Sequence, residues 1–187
     1  MKSRIGLLGG TFNPIHFGHI EIAKAALNLL KLDKLIFIPA GNPWQKEDFV
    51  SFDHRLKMLK LALKNLEKIE ISEIEKDEIN PSYTYQTLEQ LHSIYPGSEF
   101  IFLIGSDAIK SFGTWKEPEL IQTLARIYVV PRQNDPIVDW HFDRLQFSPI
   151  SISSSQIREK IKNRESIDKF VPAEVNQYIN ANQLYKS

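Results

Sequence analysis

The run Phe100-Ile-Phe-Leu-Ile104 constrains this chain more than any other segment. It has no polar face, so as a strand it must be covered on both sides, in the middle of a parallel sheet. The rest of the chain supplies partners for it. Arg4–Leu8 is a first short apolar run, Leu35–Ile38 a second ended by Pro39, and Ile127–Val130 another ended by Pro131. Ile69-Glu-Ile-Ser72 alternates as a half-buried strand does. A weaker late strand is expected near Leu145–Phe147. Between these lie amphipathic stretches. One runs from about Gly18 to Leu30, with Ile20, Ala23, Leu27 and Leu30 on one stripe. Another carries Leu56, Leu59, Leu63 and Leu66, with Asp53 as its expected N-cap. A third passes through Leu88 and Leu91 to about Tyr95, opened by Ser82 or Thr84. The C-terminus reads as two helical pieces. Ser153 or Ser154 caps one beginning near Ser155, and Pro172 opens another through Tyr178.

Strands alternating with helices predict an α/β fold, a parallel sheet with helices on both faces. The 187 residues are expected to form a single domain, 1–187, with the helical part at about 151–187 packed on it. Gln133–Asp143 is polar, contains proline, and reads as an exposed loop.

Charge narrows the partners. Lys plus Arg number 23, as do Asp plus Glu. A balanced total argues against a general nucleic-acid or membrane-surface binder, which needs a positive field. There is no cysteine, which removes thiolate zinc sites and a cysteine nucleophile. Without a signal-peptide pattern or a run of roughly 20 apolar residues, a cytoplasmic location is expected. The sequence is compatible with a homo-oligomer.

The first apolar run ends in Gly9-Gly10-Thr11, with Phe12 next and a helix by about Gly18. In open α/β sheets ligands sit beyond the carboxyl ends of strands, and glycines there admit a phosphate close to the backbone. The G-x-G-x-x-G and Walker patterns are both absent. In their place stand His16 and His19, three residues apart and on one helical face. They read as donors to a polyphosphate or as half of a metal site, and Gly9-Gly10 alone also reads as a tight turn. No third metal ligand stands nearby in sequence.

Other segments offer anion donors. Ile152-Ser-Ser-Ser-Gln-Ile-Arg158 places hydroxyls, free helix N–H groups and a guanidinium within one turn, as a phosphate site or as a helix cap. Lys46 stands in the loop after the second strand. Gly105-Ser106-Asp107 follows the central run, where a carboxylate reaches ribose hydroxyls or caps a helix. Ser82-Tyr-Thr84 lies at a helix start that can receive a carboxylate. Trp115 is an indole for stacking or for the core.

Gly9-Gly-Thr-Phe-Asn-Pro-Ile-His-Phe-Gly-His19 resembles the (H/T)-x-G-H motif of the nucleotidylyltransferase superfamily, in the form found in bacterial nicotinate-nucleotide adenylyltransferases. Matching segments run from Ile5 to Tyr178. The resemblance implies a Rossmann-like sheet and adenylyl transfer from ATP to nicotinate mononucleotide, giving deamido-NAD and pyrophosphate in NAD biosynthesis. It implies Mg²⁺ carried with ATP and no other metal. It assigns His16, His19, Lys46 and Arg158 to catalysis at the phosphates. Gly9, Gly10, Thr11, Phe12, Gly105, Asp107, Ser153 and Ser154 fall to ATP. Thr84, Trp115 and Arg132 fall to the mononucleotide. His54-Arg55 with Met58 also matches the family and reads as architecture. Where the family usually has Pro-Pro-His before the lysine, this chain has Pro43-Trp44-Gln45. Rival readings are a transferase acting on another acceptor, such as phosphopantetheine, and a non-catalytic nucleotide-binding regulator.

Overall fold

A computed structural model describes residues 2–42, 49–131, 141–147 and 151–186. Lys46, Arg132 and most of the loop expected at Gln133–Asp143 lie outside the described residues.

Six parallel strands form one sheet in the order β3-β2-β1-β4-β5-β6. They are β1 Arg4–Gly10, β2 Lys34–Pro39, β3 Ile69–Ile71, β4 Glu99–Gly105, β5 Arg126–Val130 and β6 Asp143–Arg144. This is the doubly wound order, in which the strand order reverses between β1 and β4. The central run behaves as its composition demands. Phe100, Phe102 and Ile104 of β4 pack on one face with Ile5 and Leu7 of β1. Ile101 and Leu103 pack on the other with Leu8. Each fully buried side chain of this size contributes about 1.5–3 kcal/mol relative to exposure, so a polar residue anywhere in the buried run Phe100–Ile104 would destabilise one layer or the other.

Helices cover both faces. On one side lie α1 Phe17–Leu29, α2 Phe52–Leu63, α6 Ser154–Lys162 and α7 Ala173–Ala181. They bury Ala23 and Ala26, Met58 and Leu59, Ile157, and Val175 with Ile179. On the other side α3 Thr84–Ile94, the short α4 Ser106–Ile109 and α5 Pro118–Leu124 bury Leu88, Leu91, Ile109 and Ile121. No helix among the described residues is long and apolar enough to cross a membrane.

Several boundaries differ from the sequence expectations. Ser51, not Asp53, is the N-cap of α2, and its hydroxyl accepts from the His54 N–H. Asp53 is the second residue of the helix, in its first turn, where its carboxylate still meets the positive end of the helix. Tyr83 is the N-cap of α3 without a side-chain cap bond, because Ser82 donates to Glu75 instead. The last strand is Asp143–Arg144, two residues before the expected Leu145–Phe147. Leu145 is buried just beyond it, and its N–H still donates to the Val129 carbonyl of β5 at 2.9 Å. Ser153 caps α6, with Gln156 returning the bond to the Ser153 N–H at 3.0 Å.

Candidate active site

The carboxyl ends of β1 and β4 are neighbours, since Leu8 pairs with Leu103. Gly9-Gly10 and Gly105 therefore end adjacent strands at the switch point. The loop after β1, residues 11–16, is buried at Thr11, Phe12, Asn13, Ile15 and His16. Phe12 has a left-handed φ of 49°, which costs a side-chain-bearing residue about 1–2 kcal/mol. The surrounding structure therefore has to hold it.

It does so from several directions. The Arg158 guanidinium donates to the Asn13 carbonyl at 3.0 Å, and the Ser154 hydroxyl to the Pro14 carbonyl at 2.9 Å. The Asn13 amide oxygen accepts from the Val50 N–H at 3.3 Å and from the Tyr185 hydroxyl at 2.7 Å. Arg55 donates to the Thr11 carbonyl at 3.0 Å. The serine-rich helix start thus meets the glycine loop, although the two are far apart in sequence. Ser154 and Arg158 stand against the histidine loop, and Ser153 caps the helix that carries them. In this structure Ser154 and Arg158 also brace that loop.

The H-x-x-H spacing has a helix-terminus explanation. His16 is the N-cap of α1 and His19 is its third residue, the two positions whose groups reach one another across a first turn. The His16 N–H donates to His19 Nδ1 at 3.3 Å. The rings stack with centroids 3.8 Å apart and planes 27° from parallel. Because Nδ1 of His19 accepts, the neutral ring carries its proton on Nε2, and Nε2 can donate to a ligand. His16 is buried and His19 half-buried. Phe12 meets the His19 ring edge-on at 5.0 Å. Gly18 is required by close approach, since a Cβ there would lie 2.9 Å from His16 Nδ1. Among the described residues no group of three His, Asp or Glu side chains could hold a metal ion. The donor set is one of hydroxyls, imidazoles, guanidinium and helix N–H groups, which suits an anion.

At the end of β4, Gly105 is the N-cap of α4 and Asp107 lies in its first turn, exposed. A Cβ on Gly105 would come within 2.6 Å of the Asp107 carboxylate, so that carboxylate folds back over the strand end.

The two features read for the acceptor come from the other face of the sheet. Thr84 is the first residue of α3. Trp115 is half-buried, its ring 6.3 Å from Phe102 and 5.5 Å from Phe112. It is therefore partly core and partly surface. The Lys116 ammonium lies 4.6 Å above the Tyr83 ring, which brings the Trp115 segment beside the start of α3.

Sequence reasoning did not single out Glu75. Its carboxylate accepts from Ser82 at 3.0 Å and from Thr87 at 2.7 Å, and so holds the first turn of α3. Burial pushes its pKa above the ordinary carboxylate range, against the opposite pull of the two hydroxyls. Neither spacing nor composition around Glu75 marks it, because its partners lie across a turn. Gly41 is closely covered by the same segment, with the Glu75 and Asp77 carbonyls 2.1 and 2.2 Å from where its Cβ would be.

Known proteins give the same picture. Residues 7–160 match the model of the cytidylyltransferase-like family. A protein of Clostridium novyi named a probable nicotinate-nucleotide adenylyltransferase is 38% identical, over all of this chain and all of that protein. One of the same name from Leifsonia xyli is 33% identical, over 100% of this chain and 96% of its own. Among solved structures, the Plasmodium falciparum nicotinic acid mononucleotide adenylyltransferase complexed with NaAD superposes with a TM-score of 0.85 at 22% identity, covering 98% of this chain and 97% of its own. That likeness shows a shared fold.

Two tests follow from this geometry. Gly18→Ala adds a Cβ inside a helix, where alanine is favoured by about 1 kcal/mol over glycine. It should therefore leave thermal unfolding nearly unchanged while displacing the His16 ring. Calorimetry should then show ATP binding at least about tenfold weaker, or about 1.4 kcal/mol; unaltered affinity would remove His16 from the site. Glu75 supplies the pH test. Its folded-state pKa is raised, so the native state is penalised above that pKa and relieved as pH falls through it toward the unfolded value. Glu75→Gln keeps an oxygen acceptor for one hydroxyl, offers the other an amide N–H to accept from, and removes the penalty. Its melting temperature relative to the parent should rise progressively from acid to neutral pH, and a pH-independent difference would contradict the assignment.

Proposed function

The chain belongs to the nicotinate-nucleotide adenylyltransferase family, within the cytidylyltransferase-like group, and from that premise we propose that it transfers the adenylyl group of ATP to nicotinate mononucleotide. The 5′-phosphate oxygen of the mononucleotide forms a bond to the α-phosphorus. The bond from that phosphorus to the bridging oxygen breaks, and pyrophosphate leaves with the electron pair. Deamido-NAD is the product, which places the enzyme in NAD biosynthesis.

The observation that carries this reading is the meeting of the histidine pair with the Ser153–Arg158 helix start at the switch point. The attacking phosphate is already ionised near neutral pH, so the site needs no protein nucleophile and no strong base. Positioning and charge stabilisation suffice. His19 donates from Nε2 to the oxygens of the α-phosphate, where charge builds up in the transition state, and His16 stacks on it and completes the cap. The N-termini of α1 and α6 add backbone N–H groups. Ser153, Ser154 and Arg158 take the outer phosphates, and Lys46 joins them from the loop after β2. Gly9, Gly10, Thr11 and Phe12 admit the nucleotide to the backbone, while Gly105 and Asp107 meet the adenosine. Thr84 at the start of α3 receives the pyridine carboxylate, Trp115 covers the ring, and Arg132 faces the mononucleotide phosphate.

Enzymes of this type use a divalent metal with ATP. We assign Mg²⁺, held by phosphate oxygens and water, because the crevice offers anion receptors rather than carboxylate ligands. When bound, Mg²⁺ neutralises charge on the departing pyrophosphate. The small-molecule substrates and balanced charge fit a cytoplasmic enzyme with no nucleic-acid polymer or membrane as partner.

The deciding measurement is pyrophosphate release from ATP with different acceptors. Nicotinate mononucleotide should be used well and nicotinamide mononucleotide poorly; comparable rates would remove the nicotinate preference, and activity only with phosphopantetheine would favour the rival transferase. In the same assay His19→Ala should lower kcat by on the order of 10²–10³, the usual consequence of losing one preorganised donor. Near-normal turnover in a folded His19→Ala protein would overturn the mechanism.

A further inference from the structure

Among the described residues, Arg55 is the largest fully buried side chain. It lies in the first turn of α2, and its guanidinium is committed to backbone oxygens. Nε donates to Val50 at 3.1 Å, Nη1 to Thr11 at 3.0 Å and to Ala40 at 2.6 Å, and Nη2 to Gly41 at 3.0 Å. The phenyl rings of Phe52 and Phe49 flank it at 5.4 and 5.7 Å. No carboxylate among the described residues forms an ion pair with it. A buried charge held mainly by carbonyl dipoles is costly: burial lowers the pKa of this group, and the Glu78 carboxylate pulls only partly the other way. An apolar side chain would fill the same core space without that cost.

The identity of the carbonyls gives a reason to keep the charge. Thr11 follows β1, and Ala40 and Gly41 follow β2. These two strand ends are also joined by the Ala40 N–H donating to the Gly10 carbonyl at 3.0 Å. Arg55 thus closes a ring of hydrogen bonds that sets the two loops at a fixed separation. It also sets a direction. The Thr11–Phe12 peptide is trans, so its C=O and N–H point opposite ways. Holding the Thr11 oxygen towards α2 turns the Phe12 N–H away from α2. The same contact offsets part of the cost of the left-handed Phe12 backbone.

We propose that Arg55 is a positioning residue for adenylyl transfer: by gripping the Thr11, Ala40 and Gly41 carbonyls it aims the Phe12 N–H at the ATP phosphates and fixes the two loops around them. This inference rests on the adenylyltransferase reading. Only a planar fork reaches all four oxygens; a lysine keeps the charge but offers one point of donation. Arg55→Lys should therefore behave as a lesion, and one confined to ATP.

The test compares Arg55→Lys with the parent protein in steady-state pyrophosphate release, at a temperature where near-UV circular dichroism shows both folded. Arg55→Lys should lower kcat/KM for ATP about 10- to 100-fold, the scale of a displacement of about 1 Å in a preorganised site. KM for nicotinate mononucleotide should stay within about twofold of the parent, because that site lies on the other face of the sheet. ATP parameters within about twofold of the parent would overturn the proposal, as would equal losses for both substrates. Should Arg55→Lys not fold, the parent protein still decides. Its Arg55 Nε–H resonance, assigned by its nuclear Overhauser contact to the Phe52 ring, should shift on titration with α,β-methylene ATP and not with the mononucleotide. A resonance unmoved by the ATP analogue would overturn the proposal. Absence of pyrophosphate release by the parent protein would instead sink the adenylyltransferase reading, independently of either result for Arg55.

Discussion

The site depends on how the carbonyls of one loop are held. Residues 11–16 leave the sheet at β1 and enter α1, so their peptides have neither ladder nor helix partners for most of their length. Buried backbone groups must be paired, and here the carbonyls of Thr11, Asn13 and Pro14 are paired by side chains from α2 and α6. The bonds to Thr11 and Pro14 fix the peptide planes that carry the Phe12 and Ile15 N–H groups, whereas the Asn13 carbonyl precedes Pro14, which has no N–H, and its bond fixes only the path of the chain. The geometry of the loop is thus held by the protein's own side chains.

The same constraint explains why the C-terminal helices are part of the site. Ser154 and Arg158 pin Asn13 and Pro14, Tyr185 reaches the Asn13 amide, and Phe170 accepts from the Phe17 N–H at the start of α1. Val175 and Ile179 of α7 share a core with Met58 and Leu59 of α2. Apolar burial on this face is thus what carries the C-terminal helices back to the first loop, and hydrogen bonds then fix their register there.

The legible part of the fold was what periodicity encodes. Phe100–Ile104 predicts a strand covered on both sides, and its alternate residues do pack into two separate cores. The stripes of α1, α2 and α3 were equally plain. Helix ends were less so, because several residues near each end can cap. Ser51 and Asp53 both suit the start of α2, and only the chain path selects Ser51. In the site, His16 and His19 were legible because their partners are each other, three residues apart. Arg55 read as architecture, since its carbonyl partners at Thr11, Ala40 and Gly41 leave no side-chain signature. Glu75 left none either, because the hydroxyls it accepts from lie across a turn.

The two cores also divide the chemistry. The histidine pair, the Ser153–Arg158 helix start and Arg55 belong to the α1–α2–α6–α7 face, whereas Thr84 and Trp115 belong to the α3–α5 face. The sheet separates them everywhere except beyond the ends of β1 and β4, where the strand order reverses. Two reactants bound from opposite faces can therefore meet only there, and their reacting atoms are brought together by the topology. In the function proposed above, acceptor choice belongs to one layer and phosphate handling to the other. On that proposal, a change in the residues around Trp115 and Thr84 would alter which phosphomonoester is admitted while the polyphosphate donors stay in place. That separation gives a physical reason for one sheet and one histidine loop to serve transferases with different acceptors.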